Sequence, residues 1–138
     1  MRNFIILIII ISFFSCKKKT NNIKSLNEPF DASQSTFLSQ SSLNSNAHKV
    51  SGTVKLFKSE NLKTLSFENF STESGGPDLK VYLSTSTANT DVKELGTLKS
   101  NSGNFYYQFD STINITSYKY VLIWCKQYSV LFGNTNLQ

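Results

Sequence analysis

Two side chains stand out chemically in the part of this 138-residue chain that follows its apolar start: His48 and Cys125. A thiolate and an imidazole are soft and borderline donors, able to hold a haem iron between them or, for the thiol alone, to exchange electrons. No Cys-x-x-Cys-His is present, so a haem held here would be bound without covalent attachment. One histidine and one cysteine fall short of the three or four ligands that zinc takes. Cys16 is the only other cysteine. If Cys16 is modified, Cys125 is a solitary thiol, left to be buried, liganded, joined to another molecule or reactive. On a strand Cys125 shares a face with Ile123 and Val121, where a thiol behaves as a small, inert hydrophobe. Lys126, the adjacent cation, points to the other face, so a structural cysteine stands beside the redox, ligand and intermolecular-disulfide readings.

Other groups say less. Gly75-Gly76-Pro77-Asp78 reads as a turn in which the glycines take positive φ and Asp78 bonds the backbone. Glu73 and Asp78 could approach a hard cation, but their spacing matches no calcium loop. Ser/His/Asp hydrolysis would need His48 as base, and no Gly-x-Ser-x-Gly elbow accompanies it. Phe105, Tyr106, Tyr107, Tyr118 and Tyr120 are either core and cross-strand pairs or a flat face for a sugar.

The elements that must position these residues begin with a leader. Met1-Arg2-Asn3 is followed by an apolar run from Phe4 to Ile11 and then Ser12-Phe13-Phe14-Ser15-Cys16. The run is too short to span a bilayer and has the layout of a signal peptide over residues 1–15. Phe13-Phe14-Ser15-Cys16 resembles the lipobox of bacterial lipoproteins. That resemblance implies acylation of Cys16, a membrane partner held through the lipid, and a place in the cell envelope, facing the periplasm or the cell surface. The basic cluster Lys17, Lys18, Lys19 and Lys24 suits phospholipid headgroups. Elsewhere the lysines are scattered, which argues against nucleic acid despite a net charge of +5. Residues 16–47 are Ser, Asn, Gln, Lys and Thr with few apolar side chains, and are expected to form a flexible tether, with at most a short helix over Asp31 to Ser42.

From residue 48 to 138 the pattern is strand-like. Val50, Val54 and Leu56 alternate with Ser51, Thr53 and Lys55; Leu65 and Phe67, then Leu79, Val81 and Leu83, then Phe105, Tyr107 and Phe109 repeat the alternation. Tyr118 to Cys125 is apolar on both faces, as in a central strand, and Val130 with Phe132 makes the last. Val92, Leu95 and Leu98 suggest a helical turn or a loop on the core. The expected fold is all-β, a small antiparallel sandwich or barrel.

Trp124-Cys125, followed by Tyr128, Val130 and Phe132-Gly133, resembles the hallmark of the DM-thirteen, or electron-transfer DM-thirteen, domain family. His48-Lys49-Val50-Ser51-Gly52-Thr53-Val54 is similar to its opening strand, and Gly76-Pro77-Asp78-Leu79-Lys80-Val81-Tyr82-Leu83 to its central one. The resemblance implies a β-sandwich-like fold and a redox role for Cys125, as a free thiol or as ligand to a prosthetic group such as haem, with an unnamed redox or protein partner. The alternative is a β-sandwich that binds protein or glycan partners without catalysis, with Cys125 as filler.

Overall fold

The computed structural model describes residues 25–138, and within them the chain is all β. The expected signal peptide, the expected acylation site Cys16 and the residues from Lys17 to Lys24 lie outside the described residues. Ten strands follow in order: β1 (Ser25–Asn27), β2 (Thr36–Ser42), β3 (Asn44–Ser45), β4 (Val50–Lys58), β5 (Leu62–Thr72), β6 (Leu79–Ser84), β7 (Val92–Thr97), β8 (Ser102–Asp110), β9 (Tyr120–Cys125) and β10 (Val130–Asn136). They make two five-stranded sheets, β1-β8-β5-β4-β2 and β3-β10-β9-β6-β7. All neighbours are antiparallel except β1, which runs parallel to β8.

The alternation in the sequence becomes the sandwich core. In the first sheet Val54, Phe67 and Phe105 stand in one cross-strand row and Leu56, Leu65 and Tyr107 in the next. In the second sheet the inward rows are Leu79, Cys125 and Val130, then Leu83, Val121 and Thr135. Phe67, Phe70 and Phe105 interlock by edge and stacked contacts at 5.1–5.8 Å and supply the largest fully buried side chains. β9 lies at the centre of its sheet, with Leu122 buried on the outer side and Val121, Ile123 and Cys125 on the inner.

Residues 25–47 depart from the expected tether. β1 sits on one edge of the first sheet and β2 on the opposite edge, so residues 28–35 cross the sheet's outer face between them. Phe30 marks the crossing, packing 5.4 Å from Tyr106 on β8 and 5.3 Å from Phe57 on β4. Thr64 and Ser66, on the β5 face turned away from the core, are only 2% and 3% exposed. One aromatic anchor and two borrowed sheet edges order a segment whose composition alone lacks apolar surface. The short helix over Asp31 to Ser42 is replaced by an Asx turn, with Ser33 N donating to Asp31 Oδ1, followed by β2. Val92 to Thr97 is likewise a strand rather than a helical turn. Its three-residue apolar spacing arises because the β6–β7 register shifts between Val81 and Tyr82.

Candidate functional site

Cys125 is the last residue of β9, placed between Leu79 of β6 and Val130 of β10. Its side chain points into the sandwich and the residue is 1% exposed. Trp124 points outward, as period two requires. Lys126 lies beyond the strand, exposed, and pairs with Glu94 at 3.7 Å rather than with the thiol. The thiol is free and surrounded by Leu79, Val81, Ile123, Phe132 and other members of the apolar core.

His48 is half-exposed at the start of the segment leading into β4. Its ring packs against Phe132 with centroids 4.0 Å apart and planes tilted by 39°, and Nδ1 stands 3.9 Å from Glu73 Oε1. Glu73 also accepts from Lys49 N at 2.9 Å, whereas Asp78 pairs with Lys80 Nζ at 2.9 Å. The two carboxylates thus serve separate partners, and no group of three metal-ligating side chains forms among the described residues. Gly75 and Gly76 do not take the positive φ expected of them. Gly76 is needed for space instead, because a Cβ there would lie 2.9 Å from Leu79 Cδ2 and 3.1 Å from Phe132 Cζ.

The three segments that carry the sequence resemblance meet at one end of the sandwich. Leu79, Cys125 and Val130 are register partners; Lys126 N donates to Asp78 O at 2.9 Å; His48 lies on Phe132. Gly133 closes the arrangement: a Cβ on it would sit 2.8 Å from Asn44 O and 2.9 Å from Val50 Cβ, so β3 and β4 approach β10 only over a glycine.

Comparison with protein families matches this unit to the electron transfer DM13 model over residues 42–137. The chain belongs to the electron transfer DM13 family. No curated protein and no solved structure gives a significant match to it. The DM13 match starts within β2, so β1 and the crossing segment precede it.

A haem held between Cys125 and His48 is not accommodated by this DM13 domain. The thiol is enclosed by packed side chains on the inner face, while the imidazole packs at a tilt against Phe132 with its Nδ1 turned toward Glu73. The nearby cavity of about 430 Å³ is lined by Ser45, Lys49, Val50, Ser51, Ser71 and Glu73, and by neither residue of the pair. Nor do the aromatics make one sugar-binding plane. Phe105 and Tyr107 face the core, Tyr106 lies under Phe30 and Lys99, and Tyr118 and Tyr120 belong to the other side of the sandwich. Burial also acts on Tyr107: its hydroxyl donates to Thr97 O and accepts from Lys99 N, and burial pushes its pKa up to about 12. Sequence reasoning missed the His48–Phe132 contact, whose partners are remote in the chain and carry no shared local pattern.

Proposed function

We propose that this protein is a cell-envelope lipoprotein, acylated at Cys16, whose DM13 domain exchanges electrons outside the cytoplasm through the Cys125 thiol. The observation that carries the reading is the thiol's position at the terminus of β9, immediately before the exposed Lys126–Ser129 hairpin. Opening of that hairpin alone uncovers Cys125 without dismantling the first sheet, because local openings cost less than global unfolding. Cys125 has no second thiol within the domain. A two-electron change at this sulfur therefore takes its partner sulfur from another molecule, by attack of the thiolate on that molecule's disulfide and release of its second thiolate. The partner is thus a redox protein reached at the hairpin.

Thiol labelling under native conditions tests the assignment. Labelling of Cys125 by a small maleimide is expected at a rate insensitive to low urea, the mark of a local opening that exposes little surface. Labelling that follows the full urea dependence of global unfolding would refute the redox role. The second reading, a non-catalytic module for protein or glycan partners with Cys125 as filler, is favoured by one observation: the thiol's 1% exposure in aliphatic surroundings without a neighbouring cation.

A further inference from the structure

We propose that the end of the sandwich carrying the Lys126–Ser129 hairpin docks onto the lipid surface of the membrane, so that Cys125 works at the bilayer and its partner is membrane-bound. The proposal rests on the Cys16 anchor of the preceding section. Its independent support is where the chain enters the domain. β1 runs parallel to β8, which puts Ser25 beside Ser102 at the first end of β8. Ser102 also pairs with Ser71 near the close of β5, and Ser71 with Ser51 near the start of β4. The loops 73–78 and 98–101 carry this same end across to Leu79 and to Thr97, next to Cys125 and the hairpin. Thr72 N, at the end of β5, donates to Asn101 O and ties that strand end to the 98–101 loop.

Eight residues separate Cys16 from Ser25, and fully extended that span is at most about 30 Å. The far end of the first sheet, where Phe37 pairs with Phe57, lies seven residues along β4 from Val50, about 23 Å further away. A chain this short holds the near end at the membrane at high effective concentration and leaves the far end outward. The near end offers what an interface accepts. Tyr128 is 65% exposed at the hairpin tip, an aromatic with a polar head suited to the headgroup layer. Lys126 and Lys49 are exposed beside it, and Lys17, Lys18, Lys19 and Lys24 lie between the acylated residue and Ser25 in the sequence. The acidic groups here are engaged, Glu73 with Lys49 N and His48, Glu28 with Lys99, Asp78 with Lys80, and Glu94 with Lys126 itself. Lys49, whose ammonium pairs with no carboxylate among the described residues, therefore supplies the positive charge together with the lysines that precede Ser25 in the sequence.

Trp124 is the chain's sole tryptophan and lies two residues from Lys126, which makes it a built-in reporter. The mature acylated protein is incorporated into phosphatidylglycerol-containing vesicles doped with a lipid that carries a nitroxide on its headgroup. Quenching of Trp124 is expected to exceed severalfold that of a far-end reporter, Phe37→Trp in a Trp124→Phe background. Tyr128→Ser with Lys126→Glu should bring Trp124 quenching down to the far-end value. Equal quenching of the two reporters, or the reverse order, in protein that floats with the vesicles overturns the docking and leaves the anchor intact. Protein that fails to float overturns the anchor and the docking with it. If the double-tryptophan exchange does not fold, amide exchange of residues 126–129 in the wild-type protein replaces it: protection in vesicles over detergent supports docking, and identical rates overturn it.

Discussion

Gly103→Ala attacks the contact that fixes where the chain enters the domain. Gly103 has φ +110°, and a Cβ built on it falls on the carbonyl of Leu26, at a separation no two atoms can share. Alanine at this φ costs about 1–3 kcal/mol in β8 while β1 stays in place. The alternative is release of β1, which forfeits the half-buried Leu26 side chain at about 1 kcal/mol and the bond from Glu28 N to Asn104 O. That bond adds about 1 kcal/mol, and the recovered freedom of the released residues offsets part of the sum. The expected outcome is release, with a loss of about 1–3 kcal/mol in urea unfolding and fast amide exchange at Leu26 and Glu28. Leu26→Ala, which removes the side chain without a clash, should lose about 1 kcal/mol and keep the Glu28 amide protected. A Gly103→Ala protein with unchanged stability and a protected Glu28 amide would refute the reasoning. The same change tests orientation: if the strap formed by residues 25–35 detaches as far as Thr36, the span from Cys16 grows from nine steps to twenty. The effective concentration of the hairpin at the membrane should then fall about threefold by the −3/2 power of length.

Three further outcomes follow from the packing. Tyr107 has its folded pKa raised from 10.0 to about 12, so the neutral phenol stabilises the domain fully below pH 10 and that contribution is lost as pH rises toward 12. The loss amounts to about 2–3 kcal/mol; urea midpoints between pH 9 and 12 should fall more steeply for wild type than for Tyr107→Phe, and parallel slopes would count against it. Phe30→Ala removes the contacts to Phe57 and Tyr106 and wets Thr64 and Ser66. A loss of about 2 kcal/mol is expected, with faster amide exchange over residues 28–35 and an unaltered labelling rate at Cys125; a changed labelling rate would show that the strap and the hairpin open together. Cys125→Ser buries a hydroxyl among aliphatic side chains and should lower stability by about 1–3 kcal/mol more than a partnered site would. Cys125→Ala, which brings no polar atom inside, should unfold at higher urea than the serine variant, and the opposite order would mean that the site holds water.

Alternation made β4, β5, β6, β8, β9 and β10 legible because each buries one face or both, and the hydrophobic effect writes that burial into the side-chain order. It also put Cys125 on the inner face beside Ile123 and Val121, where the structure has it. β2, with its run of Ser and Gln, was not legible: its place comes from pairing with β4 and from the Phe37–Phe57 contact, both non-local. β1 and β3 are too short to show any period. The end at which the chain enters depends on the parallel pairing of Ser25–Asn27 with β8, a three-residue contact licensed by one glycine. No local pattern encodes that.

The distribution of packing bears on what Cys125 is for. The bulkiest buried side chains, Phe67, Phe70 and Phe105, lie in the first sheet, within the DM13 match but outside its three motif segments at 48–54, 76–83 and 124–133. Those segments instead converge on the end of the second sheet, through the row of Leu79, Cys125 and Val130, the bond from Lys126 N to Asp78 O, and the His48–Phe132 contact. A motif that merely filled volume would be expected where volume is largest. Here it holds a small thiol next to a solvent-exposed hairpin, with Gly133 under β3 and His48 packed against Phe132. The largest aromatics of the core lie in the first sheet, while the small Cys125 thiol closes the same cluster at the end of the second. Cys125→Ala, which leaves the first-sheet aromatics in place, is therefore the variant in which the proposed electron exchange can be assayed in a domain that remains folded.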